Sequence, residues 1–251
     1  MLTRVIINGA RGKMGILACE TISKHPDFKL VGSLSREDNL RLAIEREKAQ
    51  IVVDLTRADC VFDNSLAIIE SGAHPVIGTS GLLTEQITHL QELCRRKQLG
   101  GIIVPNFSIS AVLMMHFAAL AAHHLTAVEI IEAHHPQKFD APSGTALKTA
   151  EMIAAARAVG SLLTGESTKS SNELIGGARG GLYQDIAIHS LRLPGILANQ
   201  QVIFGSMGET LTITHNTLDR SAFMPGIILC CQKVQQLQSL YYGLEQVIDI
   251  N

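Results

Sequence analysis

The sequence predicts an α/β protein: a doubly wound, Rossmann-like parallel sheet followed by a second α+β half with a mixed or antiparallel sheet. Three observations predict it. Short Val/Ile-rich runs alternate with helical patterns from Arg4 to Val104. Glycines are spaced NGARGKMG between the first such run and the first helical pattern. After Pro105 and Asn106 the alternation gives way to long helical stretches and separate strand-like runs.

Taken in order, Arg4–Asn8 is a β-branched run, and a helical pattern starts at Lys13 and stops before Pro26. Phe28–Leu34 and Ile51–Leu55 read as strands, and the segment between them as a short connection. Cys60–Gly72 is helical, with Gly72 as its stop. Pro75–Ile77 opens a fourth strand, Thr84–Gln98 is helical, and Gly101–Val104 is a fifth strand. Near-continuous apolar strands that alternate with helices imply a parallel sheet covered on both faces. In the second half, Ser110–Leu125 is an apolar helix, Ala127–Ala133 a strand, and 142–159 a helix opened by Ser143. Residues 160–181 are rich in Gly, Ser and Thr and read as a mobile loop. Ile186–Leu193, Gln201–Phe204 and Glu209–His215 read as strands, and Arg220–Tyr242 as a final helix.

The chain has 251 residues, 46% of them hydrophobic, with a formal net charge of −2, which argues against a general nucleic-acid binder. No apolar run is long enough to span a bilayer, and MLTRVIINGARG reads directly as a strand without a signal peptide. The five cysteines have neither C-x-x-C nor zinc-finger spacing, which suggests reduced thiols in the cytoplasm and no metal site. Cys230 and Cys231 read as core packing within an apolar helix.

Gly9, Gly12 and Gly15 allow a tight turn and a close approach of backbone to a pyrophosphate, while the helix that follows offers unsatisfied N–H groups. The turn is therefore a candidate dinucleotide site. An acid about 20 residues on would bond the adenosine ribose of NADH. Here Ser35 stands at that place and Arg36 follows, and a guanidinium suits a 2′-phosphate. The reading favours NADPH, with Glu37 or Asp38 left as ribose partners for NADH. Gly78–Gly81 (GTSG) and Pro105–Ser108 (PNFS) follow the fourth and fifth strands, at the rim where open α/β sheets bind ligands.

The densest chemistry lies in EAHHPQKFDAPSGTALK, Glu132–Lys148. It offers two imidazoles able to move protons near neutral pH, a cationic lysine, and a helix start at Ser143 suited to a carboxylate. Hydride addition to a polarised C=N or C=O in a carboxylated substrate, with a proton delivered alongside, matches this set best. The plain alternative is a helix-capping loop. The other eight histidines read as surface or satisfied core residues.

EAHHPQKFDAPSGTAL resembles the signature of the dihydrodipicolinate reductases of bacterial lysine and diaminopimelate synthesis. NGARGKMG, VIGTSG, VPNFS and GETLTITHNTLDR resemble further blocks of that family, in the same order. The resemblance implies a tetrameric enzyme that reduces a small cyclic imine dicarboxylate with NADPH or NADH. It implies an acid/base role for His134, proton donation by Lys138, and substrate-carboxylate contacts at His135, Gly144 and Thr145, with Ser143 in the same turn. It places cofactor contacts at Gly9, Arg11, Gly12, Lys13, Met14, Gly15, Arg36, Gly78, Thr79, Ser80, Val104, Pro105, Asn106 and Phe107. It also implies a discontinuous dinucleotide-binding domain, residues 1–107 and 220–251, around a substrate-binding and oligomerisation domain of 108–219. The family often carries Glu where Ser35 stands and Thr where Ser80 stands. A reductase of another carbonyl acid would share the glycine turn, and a non-enzymatic redox-sensing module would bind dinucleotide without turnover.

Overall fold

The structure is a computed structural model that describes residues 2–125, 127–160 and 173–249. It divides into two compact units, one of Met1–Ile109 with Arg220–Asn251, the other of Ser110–Asp219. The elements in chain order begin with β1 (Thr3–Asn8), α1 (Lys13–Lys24), β2 (Phe28–Leu34), α2 (Leu40–Glu47) and β3 (Ile51–Asp54). They continue with α3 (Val61–Glu70), β4 (His74–Ile77), α4 (Thr84–Lys97), β5 (Gly101–Ile103), α5 (Ile109–Ala122) and β6 (Ala127–His134). Then come α6 (Gly144–Gly160), β7 (Gly181–Tyr183), β8 (Ile186–Arg192), β9 (Ala198–Ser206), β10 (Glu209–Thr217), α7 (Met224–Lys233) and β11 (Leu240–Tyr242).

The first unit holds a six-stranded sheet in the order β11-β5-β4-β3-β1-β2, with every pair parallel. Val5–Ile7, Ile51–Val53, Val76 and Ile77 are fully buried, as continuous apolar strands must be when both faces are covered. The chain leaves β1 toward β2 on one side and returns to β3 on the other. The strand order therefore reverses beside β1, and crevices of this kind take ligands in open α/β sheets.

The second unit holds a five-stranded mixed sheet, β10-β9-β6-β8-β7, in which β6 and β8 run parallel and the other pairs antiparallel. Along β6, Val128, Ile130 and Glu132 share one face, since side chains alternate. Val128 and Ile130 lie opposite Phe204 and Val202 of β9, and these four are buried. Ala146, Ala150 and Ile153 of α6 are buried too.

Several sequence expectations need correction. The link between β2 and β3 contains a helix, α2. Leu40, Ala43 and Ile44 repeat at helical spacing, Asn39 Oδ1 caps Leu42 N at 3.1 Å, and Lys48 closes the end in a left-handed conformation. The stretch 160–181 ends in β7, which pairs with β8, and its middle, 161–172, lies outside the described residues. The helix expected over 142–159 starts at Gly144, with Ser143 as its cap and Pro142 outside it.

The largest correction concerns Arg220–Tyr242, which is not one helix. A 3-10 turn over Arg220–Phe223 leads into α7, a second 3-10 turn covers Val234–Gln236, and the chain then straightens into β11. The cause is tertiary. β5 would otherwise present an unpaired edge, and β11 satisfies it, with Gly101 N donating to Ser239 O at 2.9 Å and Gly243 N to Ile103 O at 2.8 Å. Sheet pairing thus overrides the helix propensity of the Gln-rich run. Cys230 and Cys231 of α7 are buried, and burial pushes both thiols upward in pKa, which keeps them protonated.

α7 approaches the chain at Phe107 so closely that only glycine fits in its first turn. A Cβ on Gly226 would lie 2.0 Å from Phe107 O. Gly226→Ala is expected to lower unfolding stability by about 1–3 kcal/mol in urea titrations, through displacement of the helix.

Candidate active site

The expected site residues fall into two groups, one in each unit. In the first unit, Gly9 follows β1 with φ +86 and packs against the residue after β3, where a Cβ would meet Leu55 O at 2.4 Å. Gly15, in the first turn of α1, packs against that turn, and a Cβ there would meet Gly9 O at 2.2 Å. These two glycines are demanded by the turn. Gly12 is different: its nearest neighbour would be Gly9 O at 3.3 Å, and it caps α1 without any side-chain hydrogen bond. The first turn of α1 holds no acid, and Arg11, Gly12 and Lys13 are exposed, with Met14 partly so. An uncapped, glycine-cradled helix start without negative charge fits a pyrophosphate.

Beneath that rim lies a carboxylate that sequence reasoning missed. Asp54 ends β3 and is fully buried. Its Oδ2 accepts from Asn8 Nδ2 and Asn64 Nδ2, both at 2.9 Å. Its Oδ1 accepts from the hydroxyls of Thr56 and Thr79, both at 2.7 Å, and from Thr56 N at 3.2 Å. Three strand ends, β1, β3 and β4, are thereby joined. Thr79 spends its hydroxyl proton inside this cluster, while Ser80 is exposed. Gly78 is required by Phe107, whose ring would meet a Cβ there at 2.4 Å. Val104 N donates to Ile77 O at 2.7 Å, Asn106 Oδ1 accepts from Ser108 N at 2.9 Å, and Pro105 is exposed. The 78–80 and 104–107 segments are thus one packed rim.

At the end of β2, Asp38 Oδ2 accepts from Ser35 N at 2.8 Å and from Ser35 Oγ at 3.0 Å. The Ser35 backbone and hydroxyl donors hold the Asp38 carboxyl below the usual aspartate range. Glu37 lies 3.5 Å from Arg11. Both acids left open as ribose partners already have donors, whereas Arg36 is exposed and has no partner among the described residues.

In the second unit, the polar group continues the apolar row of β6. Beyond Ile130 comes Glu132, fully buried, opposite Gln200 on β9 and Ser190 on β8. His134 comes next, opposite Arg192. Glu132 Oε2 lies 2.5 Å from His134 Nδ1 and accepts from Arg192 NH1 at 3.0 Å. Glu132 Oε1 accepts from Arg192 NH2 at 2.9 Å and from Ser143 N at 3.2 Å. Burial alone would raise the Glu132 pKa. Hydrogen bonds from His134, Arg192 and Ser190 outweigh it and hold the carboxyl down at about 2.

After His134 the chain turns, with Pro136 inside a bend closed by Lys138 N donating to His135 O at 3.0 Å. Lys138 Nζ grips both oxygens of Asp140, at 2.6 and 2.8 Å. Arg192 also donates to two backbone carbonyls of this segment, Lys138 O at 3.3 Å and Asp140 O at 2.5 Å. Ser143 Oγ accepts from Ala146 N at 3.2 Å, a helix cap. Gly144 is exposed, has an ordinary φ, and would have nothing within 4 Å of a Cβ. Neither strain nor packing calls for glycine there, and the missing side chain leaves the helix start uncovered. Thr145 is the next residue of that first turn. His135 Nδ1 is buried without a hydrogen-bond partner among the described residues.

Sequence reasoning brought His134, Lys138 and Ser143–Thr145 together and missed Glu132 and Arg192 as members. The signal was present. In AVEIIEAH, Val128, Ile130, Glu132 and His134 share one parity, so a glutamate falls on the apolar face.

A doubly wound unit with this helix start, and a second unit with a cationic, imidazole-bearing strand end, define a nicotinamide-dinucleotide-dependent oxidoreductase. Residues 3–107 match the model of the dihydrodipicolinate reductase N-terminus, and residues 110–248 match that of the C-terminus. The 4-hydroxy-tetrahydrodipicolinate reductase of Legionella pneumophila (strain Lens) is 62% identical over 248 residues, covering 99% of this chain and 100% of its own. That of Coxiella burnetii (strain Dugway 5J108-111) is 50% identical over the same coverage. Among solved structures, a dipicolinate-bound dihydrodipicolinate reductase from Paenisporosarcina sp. TG-14 is 39% identical. Its TM-score is 0.89, with 99% of this chain and 100% of that chain covered. The chain belongs to the dihydrodipicolinate reductase family. An amine dehydrogenase from Mycobacterium smegmatis, 10% identical with TM-score 0.67 over 99% of this chain and 97% of its own, shares the fold alone.

The low pKa of Glu132 carries a pH dependence of stability. A carboxyl depressed from 4.5 to about 2 contributes stability that is fully present above about 4.5 and is lost as pH falls toward 2. The shift corresponds to about 3 kcal/mol. The difference in unfolding free energy between the parent protein and Glu132→Gln is expected to shrink by about that amount between pH 5 and pH 2 in urea titrations. A constant difference across that range would refute the assignment.

Proposed function

We propose that the chain is a 4-hydroxy-tetrahydrodipicolinate reductase of the diaminopimelate/lysine route, which reduces a cyclic imine dicarboxylate with NADPH. One observation carries the site: His134, Lys138 and the Ser143 helix start are gathered around the buried Glu132 at a single strand end. The 62% identity to a reductase of that name supports the substrate. So does the dipicolinate bound by the 39% identical relative, a ring with the same pair of carboxylates.

The second unit would meet a doubly anionic ring with matched charge. Lys138, His135 and the turn Ser143, Gly144, Thr145 receive carboxylate groups, and each bond offsets the cost of desolvating them. A substrate carboxylate would displace Asp140 from Lys138, since both compete for one ammonium. His134 serves as acid/base and Lys138 as proton donor. The first unit would hold the dinucleotide through Gly9, Arg11, Gly12, Lys13, Met14 and Gly15 at the pyrophosphate, with Gly78, Thr79, Ser80 and Val104–Phe107 along the rim. Thr79 would contribute backbone, given its hydroxyl bond to Asp54. Arg36 would pair with a 2′-phosphate. Reduced nicotinamide, when bound, supplies a hydride to the imine carbon, and the C=N electron pair moves to nitrogen, which takes up one proton.

The protein is proposed to be cytoplasmic and to assemble as a homotetramer through the second unit, where Leu182, Leu191 and Leu211 lie on sheet strands yet stay exposed. Light scattering should return about four times the 27.1 kDa chain mass; a monomer would refute this part.

Oxidation of NADPH should require the condensation product of pyruvate and aspartate semialdehyde. His134→Gln and Lys138→Ala are each expected to lower kcat/KM by about a hundredfold or more with folding retained. Binding of dinucleotide without turnover by the parent protein would overturn the enzymatic reading. Arg36→Ala is expected to raise KM for NADPH about tenfold and leave KM for NADH within about twofold, the mark of one lost charge-assisted phosphate pair; equal changes would displace Arg36 from that role.

A further inference from the structure

We propose that Glu132 and Arg192 are positioning residues with separable tasks: Glu132 sets which nitrogen of His134 carries the proton, and Arg192 fixes the backbone that presents Lys138. The proposal rests on the substrate reading above and deepens it.

The first task follows from donor and acceptor inventory. Glu132 is buried and receives two guanidinium N–H groups and one backbone N–H, so it is ionised and can only accept. The imidazole nitrogen 2.5 Å from its Oε2 must therefore be a donor. Neutral His134 is then the Nδ1–H tautomer, with Nε2 as a lone-pair base, and the protonated ring offers Nε2–H as the acid. Nε2 has no partner among the described residues. Nε2 is thus the ring nitrogen left to exchange a proton, in the acid/base role given to His134, while Lys138 keeps its role as donor. The ring contacts Glu132 on its own strand, Glu132 is paired with Arg192 on β8, and Arg192 reaches the backbone of the following turn, which carries the Lys138–Asp140 pair.

The second task follows from the fork geometry of arginine. Two terminal nitrogens of Arg192 bind the two oxygens of Glu132, and Nε and NH2 also reach Lys138 O and Asp140 O. One planar group therefore ties the acceptor that orients His134 to the carbonyls on either side of Phe139. Lysine at 192 would preserve the charge but could not bridge these four acceptors.

The two substitutions predict different failures. In Glu132→Gln, the amide NH2 must face donors wherever it points. At the Oε1 position it would meet two fixed donors, Arg192 Nη2 and Ser143 N; at the Oε2 position it meets Arg192 Nη1 and can donate to an unprotonated Nδ1, while the Ser190 hydroxyl can rotate to donate or accept. The second arrangement is the better satisfied, so the variant is expected to invert the tautomer to Nε2–H. In Arg192→Lys the tautomer should stay as in the parent.

The experiment combines nitrogen-15 histidine spectra of the unliganded full-length protein with steady-state kinetics. The His134 signal is identified by its loss in His134→Gln. With the ring neutral, the parent is expected to show Nδ1–H, and Glu132→Gln to show Nε2–H. Kinetically, Glu132→Gln should lower kcat about a hundredfold with KM for the imine within about threefold, and Arg192→Lys should raise KM about tenfold with the tautomer retained. A parent ring protonated at Nε2 would overturn the proposal without any variant, so misfolding of Glu132→Gln does not protect it. A Glu132→Gln protein that keeps Nδ1–H, or two variants with the same split between kcat and KM, would also overturn it. Absence of turnover in the parent would instead defeat the substrate reading and leave the tautomer result standing.

Discussion

The second unit is organised by one constraint: a carboxylate sits where no water reaches it. An ionised Glu132 without partners would cost several kcal/mol, so its donors must be in place whenever the chain is folded. They come from three separate pieces of chain: His134 two residues on, Arg192 from the parallel neighbour β8, and Ser143 from the start of α6. Satisfying one anion therefore fixes the end of the strand, the following turn and the helix entry at once. A buried ion pair of this kind adds little net stability compared with an apolar core. What it contributes is a fixed arrangement of groups that would otherwise lie on independently mobile loops.

The first unit contains a buried carboxylate of a different sort. Asp54 is surrounded by amides and hydroxyls of Asn8, Asn64, Thr56 and Thr79, with no cation among its hydrogen-bond partners in the described residues. It works as a joint between strand ends, and because those donors are neutral, the joint adds no positive charge to the rim above it. Positive charge in the first unit's candidate site comes from the α1 helix start and from exposed Arg11, Lys13 and Arg36. The two units use the same element, an acid at the end of a central strand, for unlike ends: one locks backbone, the other orients an imidazole.

Most of the architecture could be read from the sequence because periodicity and turn residues report local preference. Apolar runs such as RVIIN and IVVDL have few alternatives to a buried strand, and NGARGKMG announces its own turn. The misreadings occur where distant partners decide. QKVQQLQSLYY looks helical until β5 offers an open edge, and LRLAIERE is short enough to be mistaken for a connection although its Asn39 cap and apolar spacing mark a helix. In the site, His134, Lys138 and Ser143 could be found because they crowd into one stretch. Arg192 could not be found that way, since its link to Glu132 exists only through the β6–β8 register. Glu132 could have been found, as an acid on the apolar parity of its strand.

The pairing of β11 with β5 bears on how the molecule is made. More than half of the chain separates Gly101 from its partner Leu240, and a ribosome adding about 5–20 residues per second needs on the order of ten seconds to cross that interval. During that time the nascent first unit carries a bare strand edge at β5, the kind of surface that recruits foreign strands. Its last piece arrives only after the whole second unit has emerged, so each newborn chain passes through an interval in which that edge has no native partner.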